Sequence, residues 1–351
     1  MPSSVRFAGV AAALASALLV VNGPTLVAQA DSPRGAVAGT GAFTSFVENM
    51  DRSLAFYHDA FGMDVPALPA SGERAYNPAN PRLFAMFQIN GARERHQSAR
   101  VPGTRLSLEF MEIQNIDHKT VQLRMQDPGV ATPVMVVRDL DAALAGVRQA
   151  NVSAVTPRAM PVTMGDGGRA VIIRDIDGRP VELVQPAVAP DASTANNIVN
   201  IGLLLTVNDM DKTLHVYRDV LGFAVQNDTR IDQPFGALSG LPKSVVRHTR
   251  VQPPGSTLDI DLIEFKGVKR TPLQLRIQDR GAARLQLRAQ NLDALVDAMK
   301  AAGMSVVSEG GVAVPIPPNL RGALVADPNN FFFTPFEPCD GCAQFGPAAR
   351  R

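Results

Sequence analysis

Two hydrophobic periods alternate along the chain. In LDALVDAMKAAGM, Leu292, Leu295, Val296 and Met299 recur at helical spacing, which predicts a helix with one buried stripe. In LSLEF (106–110) and LDIDL (258–262) apolar and polar residues alternate, which predicts strands with one packed and one open face. A short apolar strand leads into an Asp or Asn that can cap the following helix, as in MVVRDLDAALAGVRQANV and LRAQNLDALVDAMKAAGM. Each helix ends near a Gly or Asn, and alternating strands follow. The order strand, helix, three strands occurs four times, which makes the protein α+β.

The chain also repeats itself at longer range. FTSFVENMDRSLAFYHDAFGMDV returns as LLLTVNDMDKTLHVYRDVLGFAV, with Tyr57 and Gly62 matching Tyr217 and Gly222. QLRMQDPG returns as QLRIQDRG, and Arg95-His96 as Arg247-His248. A single length difference before Arg95 keeps both copies in register, so the chain is a tandem duplication. The expected organisation is a first domain over 40–187, a linker over 188–197 of small, polar and Pro-containing composition, a second domain over 198–338, and a tail over 339–351. The repeated Arg124, Gln126 and Asp127, with Arg276, Gln278 and Asp279, precede shaped turns at Gly129 and Gly281 and read as structural.

The segments VENMDRSLAFYHDAFGM and VNDMDKTLHVYRDVLGF, with the endings IRDIDGRPVELVQP and VADPNNFFFTPFEP, resemble the vicinal oxygen chelate (glyoxalase/bleomycin-resistance/dioxygenase) superfamily. The resemblance covers nearly all of 40–338. It implies four βαβββ units paired into two incomplete barrels, each curved around a cleft with helices outside. It also implies a metal site with one ligand from the first and one from the last strand of each unit. Those positions fall on Ala42, Glu109, Thr132 and Glu182 in the first copy, and on Gly202, Asp261, Arg284 and Thr334 in the second. Ala, Gly and Thr cannot replace the imidazole such a site uses, so the usual metal centre is expected to be absent. The iron site of ring-cleaving members would fall on Gly202, Arg284 and Thr334, which argues against that activity.

Each copy carries a His and a carboxylate at equal spacing across a Pro-Gly turn: His96 with Glu109, and His248 with Asp261. A tight hairpin centred on Pro-Gly would set the two members opposite one another, with side chains about 5 Å apart. Such a carboxylate fixes the tautomer and raises the basicity of the imidazole, which suits proton abstraction. The same pair can equally be a structural contact that holds the hairpin. Ser107 and Asp259 face the cleft by the same alternation, and Glu182, Arg250 and Arg284 complete the candidate ligand-binding set. His96, Glu109 and Glu182 together could form an irregular divalent-metal site in the first domain. His58, His118 and His215 read as solvated.

Composition narrows the function classes. The 351 residues carry a formal net charge of +1, with no basic field of the kind nucleic acid requires. The N-terminus has the three-part layout of a signal peptide over 1–30: Arg6, an apolar run over 7–21, Gly23-Pro24, and Ala28-Gln29-Ala30. The apolar run is shorter than the roughly 20 residues of a membrane span, so no membrane association is expected after cleavage. A secreted or periplasmic location follows, and there Cys339 and Cys342 would form a local disulfide. Two functions remain open: a carrier of a small organic molecule, and an isomerase, lyase or dioxygenase-type enzyme using His96 and Glu109 or an irregular metal site. Glutathione-linked chemistry is disfavoured outside the cytosol, and a scaffold without ligand is a third reading.

Overall fold

The computed structural model describes residues 35–188, 195–340 and Cys342. The expected signal peptide over 1–30, the middle of the expected linker and most of the tail lie outside the described residues. Unit 1 runs β1 (Ala36–Phe46), α1 (Met50–Phe61), α2 (Pro81–Phe87), β2 (Arg93–Arg100), β3 (Ser107–Gln114). Unit 2 runs β4 (Ala131–Val137), α3 (Leu140–Gln149), β5 (Val162–Thr163), β6 (Arg169–Arg174), β7 (Pro180–Gln185). Unit 3 runs β8 (Ile198–Thr206), α4 (Met210–Leu214, continued by a π-helical turn over His215–Val220), β9 (Ala224–Val225), β10 (Arg230–Ile231), α5 (Gln233–Leu238), β11 (Val245–Gln252), β12 (Ile260–Lys266). Unit 4 runs β13 (Ala283–Gln290), α6 (Leu292–Ala301), β14 (Ser305–Val306), β15 (Val314–Ile316), β16 (Leu320–Gly322), β17 (Val325–Ala326), β18 (Phe332–Pro338). In unit 1 the strand after α1 shrinks to a single bridge between Asp64 and Arg100.

Capping explains where the helices begin and end. Asn49, Asp139, Asp209 and Asn291 each accept a backbone N–H from the first turn of α1, α3, α4 and α6, an arrangement worth about 1 kcal/mol per helix. Gly62, at φ 66°, closes α1 in the left-handed region that a side chain would resist.

The strands form two curled sheets. Barrel I has the order β14-β17-β18-β13-β1-β3-β2, and barrel II the order β10-β11-β12-β8-β4-β7-β6-β5. Each barrel therefore joins one unit from each sequence copy: units 1 and 4 in barrel I, units 2 and 3 in barrel II. This corrects the expectation that 40–187 and 198–338 each close their own barrel. The first strands make the joint, β1 antiparallel to β13 and β4 antiparallel to β8. Helices hold each copy together instead, since α1 packs on α3. The buried Tyr57 hydroxyl donates to Asp175 at 3.1 Å, and Tyr217 donates to Asp327 at 2.9 Å.

One apolar core lies between the helices and the convex faces of both sheets, including Leu54, Tyr57, Leu144, Tyr217, Leu295, Leu108 and Leu262. Each concave face has its own smaller core. In barrel I, Phe84, Met86 and Phe87 of α2 pack on Phe46, Met111 and Phe332. In barrel II, Phe235 and Leu238 of α5 pack on Leu204, Val246 and Ile263. The short helices thus plug one end of each barrel. Cys339 and Cys342 are disulfide-bonded.

Candidate functional site

The hairpin register differs from the expected one by two residues in both copies. His96 opposes Met111 while Glu109 opposes Ser98, and Arg250, not His248, opposes Asp261. The turn is wider than a Pro-Gly pair alone would make it: Val101 N–H bonds the Leu106 carbonyl, so six residues lie outside the ladder. A shift of two preserves the face. Ser107, Glu109 and Met111 point into barrel I, and Asp259, Asp261 and Ile263 into barrel II, while Leu108, Phe110, Ile260 and Leu262 join the convex core.

The cross-copy pairing regroups the family's ligand positions. Barrel I brings together Ala42, Glu109, Arg284 and Thr334; barrel II brings together Gly202, Thr132, Glu182 and Asp261. Glu182 therefore does not join His96 and Glu109, and the irregular metal site expected from those three is corrected: β7 belongs to the other sheet. Among the described residues no group of three or more His, Cys, Asp or Glu side chains could hold a metal ion.

Barrel I is centred on Arg284. Its guanidinium is buried and reaches Thr44 at 3.2 Å, Glu109 at 3.4 Å and Thr334 at 3.5 Å, with the Phe87 ring 4.9 Å away. The Thr44 hydroxyl donates to Glu109 at 2.5 Å. Burial pushes the Arg284 pKa down, opposed by the Glu109 charge. Towards the mouth the wall is small and polar: Ala42, Ser98, Ser107 and Gln286 are all half-exposed. His96 stands beside this wall, 38% exposed, its Nδ1 on Glu94 at 3.0 Å. Burial lowers its pKa, but the Glu94 hydrogen bond and the charges of Glu109 and Glu94 outweigh that and raise it. Its Nε2 makes no hydrogen bond among the described residues.

Barrel II holds its histidine differently. His248 is nearly buried, with Nε2 on Asp261 at 2.7 Å and Nδ1 on Asp232 at 3.0 Å. Arg230 Nη2 also approaches Nδ1 at 2.9 Å, so that edge of the ring is shared between a carboxylate and a guanidinium. Burial opposes a charge on the ring, but the bonds to Asp232 and Asp261 prevail and raise the pKa. Burial likewise works against ionised Asp261, yet His248 and Arg250 hold it down at about 2. Arg250 Nε and Nη2 grip Asp261 at 2.9 and 3.0 Å. Glu182 is buried and has its pKa pushed up to about 8, by burial first and the Asp261 charge second. Thr132 is fully buried beside it.

Sequence reasoning missed Glu94, Thr44, Arg230 and Asp232. Glu94 was recoverable, since it lies two residues before His96 on one strand and so shares its face. Asp232 was not, because only the folded loop brings the residue that caps α5 onto His248. A separate depression of about 190 Å³ beside α1 and α3 is lined by Ala60, Phe61, Val137, Ala143 and Ile198 among others. It contains no titratable side chain and lies on the helix-covered side, so it offers packing and no chemistry.

Comparison with known proteins supports the same architecture. Glyoxalase I from Zea mays superposes with a TM-score of 0.54 at 14% identity, covering 90% of this chain and 95% of that one. A putative dioxygenase from Bacillus subtilis superposes with a TM-score of 0.54 at 14% identity, covering 88% of both chains. At this identity the likeness concerns the fold alone. No curated protein matches the chain significantly. The profile of the Glyoxalase/Bleomycin resistance protein/Dioxygenase superfamily matches residues 39–183 and again 198–328, and the chain belongs to that superfamily as a tandem member.

Proposed function

We propose that this is an exported tandem protein that binds a small organic molecule in the clefts of its barrels without the superfamily's usual divalent metal. The observation that carries this reading is Arg284, a permanent cation at a family ligand position, with its donors directed at Glu109, Thr44 and Thr334. A metal ion beside it would meet like charge, and the other position in that row is Ala42. In barrel II both oxygens of Asp261 are taken by His248 and Arg250, and Gly202 supplies no ligand. The concave face of barrel I supplies an apolar plug, a buried polar floor and a half-exposed polar wall, the combination of surfaces that lines small-molecule sites.

Export rests on the three-part layout of residues 1–30 and on the Cys339–Cys342 disulfide. No described helix is long and apolar enough to cross a membrane. N-terminal sequencing of secreted protein should begin at Asp31.

Ligand-observed NMR against a fragment library tests the binding reading. Hits on the wild-type protein should include a class lost in Arg284→Met. A library with no hit sensitive to a change in either barrel would overturn it. One observation favours a second, enzymatic reading. His96 keeps Nε2 without a hydrogen bond among the described residues while Nδ1 contacts Glu94 and Asn77, which would let it exchange a proton with a bound ligand. Turnover of a bound hit that is abolished by His96→Ala, with binding retained, would establish it.

A further inference from the structure

Cys339 and Cys342 are the only cysteines of the chain, and they are joined to each other with two residues between them. As a staple the bond does little. Stabilisation by a disulfide grows with the length of the loop it closes, and this one closes only the short CDGC segment. The strand that precedes it is already held. Phe336, Glu337 and Pro338 of β18 pair with Gly322, Arg321 and Leu320 of β16, and the Cys339 N–H donates to the Asn319 carbonyl at 2.8 Å. Arg321 forms an ion pair with Glu337 at 3.0 Å, and Glu337 also accepts the Leu292 N–H at the start of α6 at 3.0 Å.

The duplication supplies an internal control. Pro186 matches Pro338, so Ala187 and Pro190 stand where the second copy has Cys339 and Cys342. β7, the counterpart of β18, is completed between β4 and β6 with no cysteine after it. A unit of this type therefore closes without the bond. The two cysteines also differ in access. Cys342 is fully buried, whereas Cys339 is half-buried and followed by the exposed Asp340. Exchange begins with a thiolate reaching one sulfur of the bond, so access selects Cys339 for attack and leaves Cys342 as the protected partner.

We propose that Cys339–Cys342 is a site of reversible thiol–disulfide exchange, open to an external dithiol through the Cys339 sulfur. A thiolate of the dithiol attacks Cys339 Sγ and forms a mixed disulfide. The bond between the two cysteines breaks, its electron pair leaves on Cys342 Sγ, and that sulfur takes up a proton. The second thiolate of the dithiol then attacks its own sulfur in the mixed disulfide and releases Cys339, which takes up a second proton. The protein gains two electrons and two protons, and the dithiol becomes a disulfide. With a monothiol, Cys342 stands ready to attack back and restore the original bond, the role of a resolving cysteine. This site is separate from the barrels, and it stands or falls independently of their reading as ligand clefts.

Dithiothreitol is the probe, used on the full-length mature protein, with reaction quenched by N-ethylmaleimide and followed by mass spectrometry. The disulfide of the folded protein should be reduced within about tenfold of its rate in urea-unfolded protein, and the reduced protein should still melt cooperatively. A staple protected by the fold has to wait for the fold to open, so a larger rate gap would overturn the proposal. Glutathione disulfide should capture Cys339 in Cys342→Ser at least about tenfold faster than it captures Cys342 in Cys339→Ser. Equal or reversed rates would overturn it. A variant that fails to melt cooperatively would show the bond to be needed for folding, and would overturn it as well.

Discussion

His96 and His248 stand at equivalent positions on equivalent strands, yet one keeps an open nitrogen and the other is clamped at both. The clamp makes His248 a bridge between two buried carboxylates. Removing it leaves Asp232 and Asp261 as buried charges with a missing partner, so His248→Ala should cost about 3–5 kcal/mol in urea denaturation at pH 6, while the half-exposed His96→Ala costs far less. The sign with pH follows from linkage. The folded pKa of His248 is raised, so its contribution is fully present below the unfolded value of about 6.5 and is lost as pH rises through the folded one. The gap between wild type and His248→Ala should narrow on that rise. Glu182 adds a second slope. Its folded carboxyl keeps a proton that the unfolded chain has released, so its contribution falls as pH rises from about 4.5 to about 8. Glu182→Gln should flatten that part of the stability–pH curve. At the other buried pair, Tyr57→Phe leaves Asp175 short of a donor and should cost about 1–3 kcal/mol in the same assay.

At the scale of elements, α2 and α5 do the same work from unrelated sequences. Each follows an Asn or Asp cap and a Pro in its first turn, and each inserts aromatic side chains beneath the polar cluster of its barrel. Phe87 forms the apolar floor under Arg284. Phe87→Ala should cost about 3–5 kcal/mol by thermal or urea unfolding and loosen any ligand contacted by Arg284. These plugs were not legible in the sequence, because a helix of six or seven residues gives too short a pattern to separate from a loop. The strand faces were legible. Alternation in LSLEF and LDIDL gave the buried and open sides correctly, and it survived the two-residue error in register because that error is even. The error arose from treating Pro-Gly as the centre of a tight turn when the loop closes through Val101 and Leu106.

At the scale of the molecule, the duplication was read directly, but it did not reveal which units share a sheet. Sequence order favours neighbours. The structure instead pairs β1 with β13 and β4 with β8, and this choice places Glu182 with Asp261 and Arg284 with Glu109. One copy alone would leave the ladder edges of β1 and β4 unpaired. A fragment spanning 35–188 should therefore not be a stable monomer by light scattering, and should recover a monodisperse complex when mixed with 195–351.

The account rests most heavily on cation-lined clefts standing where a metal would otherwise be held. Elemental analysis of the full-length protein, purified without chelators, tests this directly. The account predicts far less than one equivalent of any divalent transition metal per chain. One equivalent or more, retained by the wild type and lost on Glu109→Gln or Glu182→Gln, would contradict it.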